Sequence, residues 1–123
     1  MTLDITVATI LSNKTAAKSA STDIADCTAI DGSAMVALGI EVLLTFNASA
    51  TLGATVKVFS SSDTSNYTTT AIQEYDIPYS NATVRHAFTV LPGHKNYKVQ
   101  VTNLDTAQSI TAIYVYSEPQ VVS

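Results

Sequence analysis

Hydrophobic side chains recur at every second position along much of this chain, and that period predicts strands rather than helices. The longest run is Met35 to Phe46, where Val36, Leu38, Ile40, Val42, Leu44 and Phe46 alternate with Met35, Ala37, Gly39, Glu41, Leu43 and Thr45. Successive side chains of a strand point to opposite faces, so this spacing makes one side of a long strand face a core. Shorter runs repeat the pattern. Leu3, Ile5 and Val7 alternate with Thr2, Asp4 and Thr6 in a first strand that extends towards Leu11. Val56 and Val58 stand between Thr55, Lys57 and Phe59, and Tyr75 and Ile77 alternate with Glu74 and Asp76. Pro78 ends that last strand, because proline cannot donate to a ladder. Val84, His86, Phe88 and Val90 share a face opposite Arg85, Ala87 and Thr89, and Tyr97, Val99 and Val101 oppose Lys98, Gln100 and Thr102.

The closing run, Ile110 to Ser117, breaks the pattern. Simple alternation puts Ile110, Ala112, Tyr114 and Tyr116 on one face, yet Ile113 and Val115 make the other face apolar as well. A strand apolar on both sides is covered twice within its own fold or packs against a partner. Ile113, Tyr114, Val115 and Tyr116 are therefore the interface candidates.

Turn chemistry separates the runs. Asp31-Gly32 is suited to positive φ before the long strand, and Pro92-Gly93 to a type II turn. Residues 60–70 form a polar loop rich in Ser, Thr, Asp and Asn, and 103–109 form a shorter one. Residues 15–25 carry helix-favouring alanines, but Ser19, Ser21 and Thr22 favour an irregular strand with a turn. The reading is all-β: an antiparallel β-sandwich, jelly-roll or Ig-like, of seven to eight strands within one domain, 1–123. Residues 1–25 serve it either as an edge strand or as an arm that docks on a neighbour.

Charge sharpens the picture. The chain has 123 residues, with 6 Lys and Arg, 10 Asp and Glu, and a charged share of 13%. That is half the usual share of about 25%. A folded monomer of this mass exposes roughly 6,300 Å², so about one charge serves each ~400 Å². Uncharged hydroxyls and amides fill the remainder, a surface that loses little when another protein displaces its water. The net charge of −4 excludes a phosphate-backbone partner, which needs a basic patch. No stretch approaches the ~18 apolar residues of a membrane helix. Met1 to Ile5 lack the basic and apolar regions of a signal peptide, so synthesis in a cytoplasm is expected. The four Asn-x-Ser/Thr sites, at Asn13, Asn47, Asn66 and Asn81, then follow from composition.

Catalytic chemistry finds little to work with. His86 lies in an apolar row, His94 follows a turn, and no Gly-x-Ser-x-Gly elbow accompanies either. Glu41, Glu74 and Glu118 are dispersed, and Glu118 sits beside Pro119 in what reads as a loose C-terminus. Asp23, Asp26 and Asp31 lack the spacing of a calcium loop and read as turn caps. Cys27 is the single cysteine, a small semi-buried side chain with no intrachain disulfide open to it. No enzyme activity, cofactor or metal is expected. Sugar binding needs aromatic platforms; there is no Trp, and of the six Tyr, Tyr67 and Tyr79 are expected to be exposed. Tyr97, Tyr114 and Tyr116 are assigned to core or interface packing.

One segment, Ala54-Thr55-Val56-Lys57-Val58-Phe59-Ser60-Ser61-Ser62-Asp63-Thr64-Ser65-Asn66-Tyr67, has the form of a strand followed by Ser-Ser-Asp-x-x-Asn-Tyr. With Tyr97 to Asn103 and the Ile110–Tyr116 strand, it resembles small β-sandwich structural proteins of tailed phages, which serve as capsid decoration, head-fibre or tail-associated subunits. The resemblance spans residues 30–117. It implies a non-enzymatic virion subunit, made in the host cytoplasm, that packs as a homo-oligomer on the capsid or on other virion proteins, with no nucleic-acid or membrane partner. Carbohydrate-binding and adhesion modules share this style. The alternative is thus a tail or adhesion-type carbohydrate-binding module that uses Tyr67.

Overall fold

The computed structural model describes residues 3–122. Thr2, placed in the first strand by alternation, lies outside the described residues with Met1 and Ser123. Among the described residues nine strands occur: β1 (Leu3–Ile5), β2 (Ala8–Ala16), β3 (Ile30–Asp31), β4 (Met35–Phe46), β5 (Ala54–Ser61), β6 (Gln73–Ile77), β7 (Thr83–Val90), β8 (Asn96–Asn103) and β9 (Ile110–Val122). A 3-10 turn spans Ile24–Asp26. The strands form two antiparallel sheets, β1-β9-β4-β7 with β2 also on β9, and β3-β8-β5-β6. The fold is an antiparallel β-sandwich.

Nine strands exceed the expected seven to eight. The first alternating run divides, because β1 pairs with Val122 to Gln120 and β2 resumes only at Ser117. Glu118 and Pro119 fall in the gap, and Pro119 has no N–H to offer an edge strand. The two-residue β3 is too short to show a period. The C-terminus is not loose: β9 runs through Pro119 to Val122, held by β4 on one side and by β1 and β2 on the other.

The core lies between the sheets. Leu38, Ile40, Val42 and Leu44 of β4 and Ile113 and Val115 of β9 meet Val56 and Val58 of β5 and Tyr97, Val99 and Val101 of β8. At ~25 cal/mol per Å² this burial is the main force holding the layers together. Two bulges alter the faces that alternation assigns. Between Met35 and Ala37 the register with β9 slips, so Met35 turns inward and Val36 stays half-exposed. At Ala112, φ is +50°, and two residues of β9, Ala112 and Ile113, fit between the partners of Thr45 and Leu43, opposite Leu44 alone. The extra residue rotates Ile110 onto the core face with Ile113, Val115 and Ser117, leaving Tyr114 and Tyr116 on the outside.

Turns hold the ends. Gly93 has φ +138°, but Gly32 does not have positive φ; its need is space, since a Cβ there would lie 2.3 Å from the His94 carbonyl oxygen. Asp23 Oδ1 accepts from Ala25 N at 2.9 Å and Asp31 Oδ1 from Ser33 N at 2.9 Å, while Asp26 faces Lys14 at 3.9 Å. Two of the three aspartates therefore cap turns and the third makes an exposed ion pair.

Asn103, fully buried at the end of β8, organises the loop after it. Its Nδ2 donates to the carbonyls of Gln108 at 2.7 Å, Ala17 at 3.2 Å and Ala16 at 3.3 Å, and its Oδ1 accepts from Asp105 N at 3.0 Å. Asp105 then accepts four backbone N–H groups, from Thr51, Leu52, Ala107 and Gln108. Those bonds, Thr51 and Ala107 foremost, hold its carboxyl well below the ordinary carboxylate range.

Candidate functional site

The outer face of the β1-β9-β4-β7 sheet is built by residues that alternate with the core. β9 supplies Tyr114, Tyr116, Glu118, Gln120 and Val122; β4 supplies Ala37, Gly39, Glu41, Leu43 and Thr45. In register these pair as Leu43 with Tyr114, Glu41 with Tyr116 and Gly39 with Glu118. β7 adds Arg85 beside Leu43, Ala87 beside Glu41 and Thr89 beside Gly39. The edge strand adds Leu3 opposite Val122 and Ile5 opposite Gln120.

The chemistry of this face is apolar and aromatic, with its charges largely compensated. Arg85 Nη1 donates to Glu41 Oε1 in a close ion pair across the strands. The rings of Tyr114 and Tyr116 lie parallel, with centroids 6.4 Å apart. Leu3 and Ile5 are 56% and 57% exposed, far more than their chemistry favours in an isolated domain. Beside Tyr116, the missing side chain of Gly39 leaves an open hollow of about 190 Å³, walled by Ile5, Ala37, Thr89, Glu118 and Gln120.

Of the four sequence-derived interface candidates, the structure brings two to this face. Tyr114 and Tyr116 are half-exposed on it. Ile113 and Val115 are fully buried between the sheets and have no surface for a partner. The strand looked apolar on both sides because the Ala112 bulge is invisible to strict alternation; the Ile110-x-x-Ile113 spacing was the one available sign of it. Leu3, Ile5 and the Gly39 hollow were missed as parts of one face, since nothing local shows that β1 and β4 flank β9.

The opposite sheet presents a more polar exterior. Lys57, Phe59, Lys98, Gln100 and Thr102 alternate with the core there, and residues 62–71 fold back along β5, with Thr68 N donating to the Ser60 carbonyl and Ile72 N to the Val58 carbonyl. Asp63 fixes the loop by accepting from Asn66 Nδ2, Asn66 N, Ser65 N and the Ser61 hydroxyl, which holds its carboxyl well below the usual range. Tyr67 is not the exposed platform expected of it. Its ring lies under the Lys98 ammonium, 5.2 Å from the centroid, and its hydroxyl is buried without a hydrogen-bond partner, as is Asn96 Nδ2. Burial pushes the Tyr67 phenol pKa up. Next to it, Lys57, Phe59, Thr69, Thr70, Ala71 and Glu74 line an open hollow of about 200 Å³. Tyr79 is also half-buried rather than exposed, its hydroxyl donating to the Ala48 carbonyl at 3.1 Å and its ring set edgewise on Phe46.

Of the groups weighed for catalysis, Glu41 and Glu118 share the outer face, one strand and two residues apart, with Glu41 held by Arg85. His86 Nδ1 meets the Tyr75 hydroxyl at 3.3 Å, closing the β6–β7 side of the sandwich. His94 is exposed, its backbone N–H donating to the Tyr97 hydroxyl at 3.0 Å. Cys27 is buried and accepts from Val99 N at 3.3 Å, and desolvation raises its thiol pKa. Among the described residues no group of three or more His, Cys, Asp or Glu side chains is placed to hold a metal, and no helix is long and apolar enough to cross a membrane.

No known sequence family and no curated protein sequence matches this chain. Solved structures do share its architecture. A Bacillus endospore-appendage protein, from a family of disulfide-linked pili, is similar with TM-score 0.51 and 15% identity over 99% of this chain and 90% of that one. A CBM4 carbohydrate-binding module is similar with TM-score 0.58 and 15% identity over 85% and 67%. XepA, a PBSX exported protein, gives TM-score 0.57 and 12% identity over 96% of this chain, which spans 38% of XepA. At these identities the likeness is one of fold: the sandwich is shared with phage-related proteins and with carbohydrate-binding modules alike.

Proposed function

We propose that this chain is a non-enzymatic structural subunit of a tailed-phage virion, a capsid-surface decoration or auxiliary head protein that binds the shell as an oligomer. It would be made in the host cytoplasm and carried on the particle. The observation that carries this reading is the outer face of the β1-β9-β4-β7 sheet. Half-exposed Tyr114 and Tyr116, exposed Leu3 and Ile5, and an internally neutralised Glu41–Arg85 pair form a surface that gains by being covered. The sparse charge elsewhere and the phage-style segments around Asp63–Tyr67 and Tyr97–Asn103 agree with it. Co-sedimentation with empty capsids tests the reading, with pelleting expected at a fixed ratio to shell protein. A chain that stays in the supernatant at every concentration would refute it.

A second reading is a tail or adhesion-type carbohydrate-binding module. It is favoured by the hollow beside Phe59 beneath the 62–71 loop. With Tyr67 pinned under Lys98, that hollow and not the Tyr67 ring is the place for a sugar. Retention of a glycan that Phe59→Ala abolishes would support it, and an array without hits would remove it.

A further inference from the structure

We infer that β7 pairs edge to edge with β7 of a second copy of this chain. The two strands run antiparallel about a two-fold axis beside His86, with Thr83 of each copy opposite Thr89 of the other. The contact goes beyond the shell-binding reading: it supplies an oligomer and leaves Tyr114, Tyr116, Leu3 and Ile5 uncovered.

Among the described residues, three of the four sheet edges carry the devices that block strand addition: shortness, bulges, proline, charge or a covering segment. β6 has five residues, includes Glu74 and Asp76, and runs into Pro78. At the other edge of its sheet β3 has two residues, and the segment before β3 caps β8, with Thr22 N donating to the Val101 carbonyl and Val99 N to Cys27 Sγ. In the second sheet β1 has three residues, and the register of β2 slips along its length. β7 differs. It has eight residues, no proline, and an unbroken register with β4 from Thr83 to Val90. Its Arg85 is already tied to Glu41.

The direction of its free backbone groups follows from the pairing. The Phe46 N–H donates to the Ala82 carbonyl at 3.4 Å, so every second residue from there, Val84, His86, Phe88 and Val90, bonds to β4. Thr83, Arg85, Ala87 and Thr89 aim their N–H and C=O groups away from the sheet, and all four residues are exposed. Gln73 Nε2 donates to the Thr89 carbonyl at 2.8 Å, which marks that carbonyl as outward and leaves it a second lone pair. A row of donors and acceptors repeating at about 7 Å is matched by another extended backbone.

β7 itself matches the row. With Thr83 opposite Thr89 and Arg85 opposite Ala87, each taken twice by symmetry, all four outward residues enter hydrogen-bonded pairs. Sliding the second copy by two residues in either direction loses one of those pairs, and in one direction sets Arg85 against Arg85. In the favoured register Arg85 stands beside the small Ala87 of the second copy and keeps its own Glu41. On the core side Val84 meets Phe88, and His86 meets its equivalent. These three side chains point between the sheets yet remain half-exposed, because β6 and β7 do not pair and the sandwich is open along this seam. Tyr75 covers part of it, stacked on Phe88 with centroids 4.9 Å apart. The second copy covers more, which adds apolar burial to the backbone bonds.

Sedimentation equilibrium and a cysteine scan test the contact. The wild type should shift with concentration from 13.0 kDa to twice that mass. Ala87→Pro removes an outward N–H and spares the ladder with β4, a change that edge strands tolerate. By symmetry it deletes two hydrogen bonds between the copies, so dimerisation should weaken about 30-fold or more. If Ala87→Pro loses its strand signal in circular dichroism, Ala87→Lys replaces it. The added ammonium lies beside Glu41 in its own copy and opposite Arg85 of the other, and should weaken the dimer about 5-fold, less at high salt. For the register, His86→Cys should oxidise to a covalent dimer, since directly opposed residues of a non-hydrogen-bonded pair have Cα atoms about 4.5 Å apart. Arg85→Cys and Ala87→Cys should crosslink far less, each lying about 8 Å from its equivalent. Cys27 is buried and does not compete. A wild type that stays at 13.0 kDa throughout, a dimer indifferent to the substitutions at Ala87, or crosslinking that is fastest in Arg85→Cys or Ala87→Cys overturns the inference. A monomer that still pellets with capsids would sink this contact alone. A dimer that ignores capsids would sink the virion reading and leave the contact standing.

Discussion

Replacing Asn103 with alanine should destabilise the fold by about 3 kcal/mol, through hydrogen bonding and with little change in apolar burial. The Asn103 side chain is 1% exposed, and it ties the end of β8 to the turn after β2 and to the 103–109 loop. Its two amide hydrogens serve three carbonyls, those of Gln108, Ala17 and Ala16, and its oxygen accepts from Asp105 N. That is three full hydrogen bonds, each worth about 1 kcal/mol net in a folded protein. Water entering the vacated space would bring the loss towards ~2 kcal/mol, and a buried Asp105 N–H left without a partner would bring it towards ~5 kcal/mol. Urea denaturation followed by circular dichroism is the assay. With a slope of about 2 kcal/mol per molar, the midpoint should fall by roughly 1.5 M at unchanged slope. Asn103→Asp separates hydrogen bonding from shape. It keeps the acceptor and the volume but turns a carboxylate towards three carbonyls and Asp105, so it should fall further than Asn103→Ala. A loss below ~1 kcal/mol for Asn103→Ala, or an aspartate variant as stable as wild type, would show that the network does not hold the loop.

Other outcomes follow from particular side chains. Ile113→Ala should cost about 2–5 kcal/mol in the same assay, as for a fully buried branched residue, whereas Tyr114→Ala should cost far less; the reverse order would return Ile113 to the surface. Tyr67→Phe removes a buried hydroxyl without a partner and should leave stability unchanged or raised by up to about 1 kcal/mol; a clear loss would reveal a hidden partner. Asp105 has a depressed folded pKa, so its contribution is present above its unfolded value, about 3.9, and is lost as pH falls through the folded value. Stability measured against pH should decline on acidification below about 4, and Asp105→Asn should flatten that limb; a variant curve parallel to wild type would contradict this.

Local periodicity was enough to determine that this protein is all-β and which side chains of the regular strands β4 and β8 face the core. Leu38, Ile40, Val42 and Leu44, like Val99 and Val101, are buried as their spacing requires, because a strand's faces follow from sequence parity alone. Parity fails wherever a residue is inserted into a ladder. The slips at Met35–Ala37 and Ala112 exchanged Met35 for Val36 and moved Ile110 to the core, and only pairing with neighbouring strands reveals them. The loop tyrosines failed for a related reason: whether Tyr67 stands free or lies beneath Lys98 depends on a strand about thirty residues distant that its own segment says nothing about. The candidate face was half legible, Tyr114 and Tyr116 from their alternation. Its other half, Leu3, Ile5 and the hollow at Gly39, exists only because β9 lies between β1 and β4, a choice of strand order made by long-range packing and not by any local pattern.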